Sequence, residues 1–403
     1  MTGALVMGAD YRGLGTTQSL GRHGVRVWVL RGSSRGVGCF SRYAERSVRW
    51  PDGDDSERVD FLLELAGKGG LQGWVLFPTA DDSAAFCARN RDELAASYTL
   101  TTPPWEVLRW AHDKRFTEKL AVDAEVPFPR TWVPGPDGIA TIGCRFPVIL
   151  KPAVRERPNR LTADKAWRVD DRASLLSRYA EARRLMPADQ ILVQELVPGD
   201  GRNQFSFAAL ASRGRCAATL VARRTRQYPM DFGRASTFVE TVDAPEVARL
   251  GARLVETMAY TGLVEIEFKL DPHSGELKLL DVNPRVWGWH TLGRRAGVDF
   301  SLLLWRLARG EPVAPVSGRP GVRWMWLAAD VPTALREMLR RRLSLAAYLR
   351  GFGRPIDFAT IAVDDPLPGL VEIPLQAATT LRARVRRRGD RHEYDLDGKP
   401  VRA

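Results

Sequence analysis

The chain has 403 residues, 44% of them apolar, and a formal net charge of +12. That length can bury a sizeable core in two or three packed units. Four isolated cysteines with no Cys-x-x-Cys pair, and five scattered histidines, argue against a disulfide framework, a zinc site or a serine–histidine–aspartate hydrolase. No stretch is apolar for long enough to span a bilayer, and the N-terminus lacks the basic start of a signal peptide. A cytoplasmic protein without a membrane partner is therefore expected. Only eight of the 60 basic residues are lysine, and the arginines run along the whole length. This reads as a composition bias rather than a nucleic-acid stripe, and the dense run from Arg382 to Arg391 reads as a solvated helix end or tail. An acidic small molecule, a nucleotide or a carboxylate, is the better partner for a basic cleft.

In chain order, Ala4-Leu5-Val6-Met7 reads as a buried strand entering a glycine-containing turn at residues 8–15. A helix pattern follows, then a second strand at residues 25–30, the opening of a parallel βαβ unit. The glycines do not match Gly-x-Gly-x-x-Gly, and no acidic residue ends the second strand, so the turn is not read as a dinucleotide site. Trp74-Val75-Leu76-Phe77-Pro78 is a further strand, with a helix cap in Thr79-Ala80-Asp81-Asp82-Ser83. Thr101-Thr102-Pro103-Pro104 closes this α/β unit.

Two separated lysines follow. Lys114 opens an amphipathic helix, and Lys151 ends the apolar strand Phe146-Pro147-Val148-Ile149-Leu150-Lys151-Pro152. A lysine capping a buried strand is uncommon unless it meets an anion, because its charge is costly to bury unpaired. Residues 155–164 are polar and arginine-rich and read as a mobile loop. Ile191-Leu192-Val193-Gln194-Glu195-Leu196-Val197-Pro198-Gly199 is a strand stopped by Pro-Gly, and either an adenine edge or a plain strand-to-turn junction fits it. Residues 205–210 and 216–223 form an antiparallel pair, after which Arg223, Arg224 and Arg226 concentrate positive charge before the flexible-looking residues 230–233.

The segments Leu263-Val264-Glu265-Ile266-Glu267-Phe268-Lys269 and Leu279-Leu280-Asp281-Val282-Asn283-Pro284-Arg285 flank the turn formers Asp271-Pro272-His273-Ser274-Gly275, which predicts a hairpin. A turn centred on Ser274 sets Glu267 opposite Asp281, with Glu265 and Glu267 on one face and Asp281 and Asn283 on one face. Facing like charges destabilise a ladder, and a hard cation between them reverses the sign. Arg285, two residues on, suits phosphate or carboxylate. The same residues also fit a surface hairpin with scattered charges. The order of the motifs decides between the two.

That order resembles the ATP-grasp superfamily: a lysine after His-Asp, a strand ending Ile-Leu-Lys-Pro, then Gln-Glu-Leu-Val-Pro-Gly, Glu-Ile-Glu-Phe-Lys and Asp-Val-Asn-Pro-Arg. It looks most like the carboxylate–amine ligase branch that includes D-aspartate ligase-like enzymes, and the resemblance spans residues 1–312. It implies an α/β and α+β chain: an N-terminal parallel α/β domain at 1–102, an ATP-grasp domain at 103–312 and a C-terminal extension at 313–403.

Carried over by position, the resemblance gives Lys114 and Lys151 to the α- and β-phosphates of ATP. Glu195 and the backbone to Val197 meet the adenine edge, Ile149 and Leu280 pack on the ring, and Gln204 takes the place of an acidic ribose ligand. Glu267, Asp281 and Asn283 match the magnesium ligands, with Asp281 in place of the usual glutamate. Two ions are implied, and manganese can substitute. Arg285 faces the transferred phosphoryl group, with Arg224 or Arg226 adding charge. The implied reaction activates a substrate carboxylate, an amino acid or peptide, as an acyl phosphate, which an amine then captures. The loop at 155–164, and the stretch at 226–236, would close to exclude water. Trp287-Gly288-Trp289-His290 would lie beside the acyl substrate, and the extension would serve packing, specificity or a homodimer contact. A bicarbonate-activating carboxylase and a non-catalytic ATP-binding regulator are the alternatives.

Overall fold

A computed structural model describes residues 2–134, 138–154, 159–228, 230, 235–353, 355–389, 393–394 and 400–401. The first unit alternates strands and helices: β1 (Ala4–Met7), α1 (Tyr11–Arg22), β2 (Val27–Arg31), β3 (Ala44–Arg49), α2 (Asp55–Lys68), β4 (Trp74–Pro78), α3 (Asp81–Arg89), α4 (Arg91–Ala95) and β5 (Tyr98–Leu100). Its parallel sheet has the order β3-β2-β1-β4-β5, as continuous apolar runs buried on both faces require. Asp10 caps α1, its carboxylate accepting from the amides of Arg12 at 3.0 Å and Gly13 at 3.1 Å. A Cβ on Gly13 would lie 1.9 Å from the Gly8 carbonyl oxygen. The glycines therefore let helix and turn close together, the role expected in place of a dinucleotide site.

The chain continues through α5 (Trp105–His112) and α6 (Lys114–Asp123) into a small lobe. That lobe holds β6 (Thr131–Trp132), β7 (Val148–Pro152), α7 (Arg160–Asp164), β8 (Trp167–Val169), α8 (Arg172–Arg183) and β9 (Ile191–Glu195). Its antiparallel sheet runs β6-β9-β7-β8 around a core of its own. Part of the segment read as a mobile loop is helical: Asn159 caps α7, accepting from the Thr162 amide at 2.9 Å. Residues 155–158 of that segment, and 229 and 231–234 of the later stretch, lie outside the described residues.

The large lobe adds β10 (Gln204–Ser212), β11 (Arg215–Tyr228), β12 (Ala235–Thr241), α9 (Pro245–Thr257), β13 (Gly262–Leu270), β14 (Leu277–Asn283), α10 (Thr291–Ala296) and α11 (Phe300–Ala308). The C-terminal part contributes β15 (Val316–Ser317), β16 (Arg323–Met325), α12 (Leu327–Leu339), α13 (Leu345–Arg350), β17 (Ile356–Phe358) and α14 (Leu367–Gly389). The sheet order is β14-β13-β10-β11-β12-β16-β17, with β15 on β11. The extension thus lengthens the large sheet through β16 and β17 instead of standing beside it as a layer of its own. One apolar core joins β1, β2 and β4 to β10, β11 and the 286–304 segment, fixing the N-terminal unit under the large sheet. α5, α6 and α9 cover the sheet's other apolar side. Residues 196–203 carry the chain from the small lobe to the large sheet, and a cleft of 990 Å³ opens beside them.

Candidate active site

The hairpin register is the expected one at the carboxylates: Glu267 pairs with Asp281 and Glu265 with Asn283. Toward the turn, however, Phe268 pairs with Leu279, leaving Leu280 as an extra residue in a bulge. The turn itself is centred between His273 and Ser274, since Lys269 pairs with Lys278. The bulge restores at Asp281 the alignment that a centre at Ser274 assumes. Bulges recur where a side chain must be re-aimed, and this one separates a solvent turn from a polar cluster.

β10 supplies the adjoining row, with Ser206 opposite Glu267. Glu265 is buried and accepts from Ser206 Oγ at 3.0 Å, Trp289 Nε1 at 2.9 Å and Asn283 Nδ2 at 3.3 Å. Glu267 accepts from Gln204 Nε2 at 2.9 Å and Asn283 Nδ2 at 3.1 Å, and pairs with Arg224 at 2.5 Å. Burial, followed by the neighbouring charge of Glu267, pushes the Glu265 carboxyl up to about 7. Burial also pushes Glu267 upward, but Arg224 and Lys165 outweigh it and hold Glu267 below the usual carboxylate range. Two adjacent carboxylates are thus driven apart, one ionised and one ready to take a proton.

Lys114 pairs with Asp281, while its backbone amide donates to the Ala153 carbonyl at 3.0 Å. Lys151 is buried and donates to Gln194 Oε1 at 2.9 Å, and Gln194 in turn donates to Thr131 Oγ1 at 2.8 Å. Arg285 holds Asp81 of the N-terminal unit, Nε to Oδ1 at 2.8 Å, and reaches Asn283 Oδ1 at 3.2 Å. A cavity of 190 Å³ is lined by Tyr11, Arg12 and Asp81 from that unit, by Lys165, and by Arg224, Glu265, Glu267, Asn283 and Arg285. The hairpin, the buried arginine and the N-terminal helix therefore face one space.

Of the residues assigned to the nucleotide, Glu195, Val197 and Gln204 line the larger cleft, beside Lys269 and Lys278, whereas Lys114, Lys151, Ile149 and Leu280 are not among its walls. Ile149 is half-buried on β7 opposite Gln194, and Leu280 is half-buried in its bulge. Two of the expected site residues have further partners. Gln204 is engaged with Glu267, so it belongs to the carboxylate row as well as to the cleft. Arg226, which also lines the larger cleft, forms a two-pronged pair with Asp330 at 2.9 and 2.8 Å, its guanidinium 4.1 Å from the centroid of the Phe238 ring. A buried arginine so paired fastens β11 to α12, while Arg224 lines the smaller cavity beside Glu267.

Sequence reading missed Lys165, Arg12, Tyr11 and Asp81. Lys165 carried a usable signal. The lysine scarcity that drew attention to Lys114 and Lys151 applies equally to Lys165, Lys269 and Lys278, all lining one of the two spaces. Its backbone is also left-handed, φ 68°, a conformation that costs a non-glycine residue about 1–3 kcal/mol and gathers at functional sites.

Hard oxygen donors of the kind magnesium takes are present in Glu267, Asp281 and Asn283. Lysine and arginine now neutralise the two carboxylates, while the Asn283 oxygen faces Arg285. Among the described residues no group of three His, Cys, Asp or Glu side chains forms a ready ligand set. Two carboxylates and an amide oxygen fit a divalent ion once those cations turn to phosphate.

Residues 188–329 match the family described as ATP-grasp in the biosynthetic pathway with Ter operon. No curated protein matches the chain in sequence. Among solved structures, the L-amino acid ligase from Bacillus licheniformis aligns at 15% identity with a TM-score of 0.61, over 77% of this chain and 74% of its own. The biotin carboxylase domain of the 2-oxoglutarate carboxylase from Hydrogenobacter thermophilus, solved with MgADP and bicarbonate, gives 15% and 0.62 over 79% and 73%. The ADP complex of N5-carboxyaminoimidazole ribonucleotide synthetase gives 13% and 0.61 over 84% and 85%. The fold is the ATP-grasp fold, and residues 188–329 match an ATP-grasp family.

Proposed function

We propose that the chain is an ADP-forming carbon–nitrogen ligase that activates a small carboxylate with ATP and transfers the acyl group to an amine. One observation carries this reading: Glu267, Asn283, Arg224 and Arg285 line one cavity whose other walls include Lys165 and Tyr11, Arg12 and Asp81, and the Lys114–Asp281 pair adjoins it beside Glu267. Phosphoryl transfer needs positioning and charge neutralisation more than a protein nucleophile. The protein supplies both.

Lys114 and Lys151 would hold the α- and β-phosphates of ATP, and Glu195 to Val197 with Ile149 and Leu280 would hold the adenine. Glu267, Asp281 and Asn283 would hold magnesium, which when bound neutralises phosphate charge and polarises the γ-phosphoryl group. Arg285, released from Asp81, would meet the transferred group, and Arg224 would steady Glu267 in its ionised form. Lys165 stands where it can follow the phosphoryl oxygens. The substrate carboxylate attacks phosphorus, ADP leaves, and the amine then displaces phosphate from the acyl phosphate. Donors already aimed at the developing charge lower the barrier without reorganising.

The second reading, bicarbonate as the activated acid, is favoured by the likeness to a carboxylase domain solved with MgADP and bicarbonate. One assay separates the two. Magnesium-dependent ADP release is measured with pooled amino acids and other carboxylates, with bicarbonate, and with hydroxylamine as the trapping amine. ADP together with a hydroxamate from one acid pool supports the ligase. ADP release stimulated by bicarbonate alone supports the carboxylase. ATP binding with no acid-dependent turnover leaves a regulator.

A further inference from the structure

Beyond the nucleotide cleft, α12 and α13 have one anchored side and one bare side. Asp330, Thr333, Ala334 and Glu337 bury the inner side of α12, and Tyr348 that of α13. On the outer side Val331, Leu335 and Leu339 recur every four residues, a single helical stripe. Leu345 and Leu349 repeat the spacing on α13, six residues further along the chain, and Phe352 follows. The exposures are large: 87% for Leu339, 61% for Leu345, 58% for Leu349 and 56% for Leu335. Up to residue 330, by contrast, only Val122, Val133, Leu176 and Tyr228 are large apolar side chains standing open to solvent among the described residues. Exposed apolar surface this concentrated marks a contact site.

The charge around the stripe has one sign. Arg336, Arg340, Arg341, Arg342 and Arg350 are all exposed. Over residues 331–353 the sole acid is Glu337, which is buried and paired with Arg340. A second copy docked through a twofold axis would bring like charges together. A nucleic acid would satisfy the arginines and leave the leucines in water. An anionic lipid surface takes both, the leucines at the acyl boundary and the guanidiniums among the head groups. We propose that the α12–α13 face docks peripherally on anionic membranes. No helix among the described residues is long and apolar enough to cross one. Glu337, Arg342 and Leu343 also line the large cleft, so docking would bring the cleft mouth to the lipid. The inference does not depend on the ligase reading.

The test is cosedimentation of the full chain with phosphatidylcholine vesicles, with and without about one third phosphatidylserine. The expected result is pelleting with the anionic vesicles only, weakened by salt. Leu339→Glu with Leu345→Glu should cut it at least about tenfold, because both signals, apolar and cationic, are needed for stable attachment. Thermal unfolding checks that this variant folds, and Arg340→Glu with Arg341→Glu tests the same face by charge alone. Equal recovery in the supernatant with both vesicle types overturns the proposal. So does binding that survives both variants, or a concentration-dependent dimer that the leucine changes abolish.

Discussion

Glu267 serves two neighbours at once. It is the counter-ion of buried Arg224 and, in the proposed mechanism, an oxygen donor to magnesium. Glu267→Gln removes the charge while keeping a side chain that can meet Gln204 and Asn283. Acid-stimulated ADP release should fall about a hundredfold, the usual scale for losing a preorganised charge contact in the transition state. Unchanged turnover would remove Glu267 from the metal site. His290 gives a residue-scale prediction about stability. Its Nδ1 donates to the Trp287 carbonyl at 3.0 Å, and burial lowers the imidazole from 6.5 to about 4. The unfolded chain therefore takes up a proton near pH 6.5 that the folded chain refuses until about pH 4. The sign follows: folding loses stability as pH falls through this window, by up to ~3 kcal/mol. Urea melts of wild type and His290→Asn between those pH values should show the flatter slope in the variant.

At the scale of elements, the bulge at Leu280 decides whether the hairpin is a site. Side chains on a strand alternate, so a one-residue slip sends a whole set to the other face. Inserting one alanine after Leu280, with the one-residue bulge kept, would set the alanine opposite Glu267 and turn Asp281 and Asn283 away from Glu267 and Glu265. The insertion variant should stay folded by circular dichroism yet lose magnesium-dependent ADP release to background. Retained activity would mean that the register is not what aligns the ligands. The N-terminal helix works on the same scale: capping by Asp10 and the close approach at Gly13 bring Tyr11 and Arg12 to the cavity that the hairpin lines.

At the scale of the molecule, the C-terminal residues are tied to the core by buried polar links. Arg226 and Asp330 join β11 to α12, and Asp365 accepts from Gln18 Nε2 at 3.0 Å, Ser41 Oγ at 2.5 Å and the Arg42 amide at 2.9 Å. Removing one partner of a buried ion pair leaves an uncompensated charge and costs about 3–5 kcal/mol, whereas replacing both is often neutral. Asp330→Leu should lower stability by that amount in denaturant melts, and Arg226→Met with Asp330→Leu should recover most of it. Loss of activity in a double variant that is fully stable would instead restore Arg226 to the chemistry.

The sequence by itself determined what depends on local pattern and pairing. The parallel opening is legible because an apolar strand, a capped helix and a second apolar strand leave few other arrangements. The hairpin is legible because turn formers fix its reflection to within a residue, but the bulge at Leu280 is what sets Glu267 against Asp281. The motif order named the fold. Tertiary structure alone decided what distant segments share. Nothing near Asp81 foretells that Arg285, 204 positions away, will hold it, and nothing near Arg226 announces Asp330. Gln204 turns to Glu267 only because β10 lies beside β13. Spacing along the chain sets which face a side chain takes, but long-range sheet order and a shared core choose its partner.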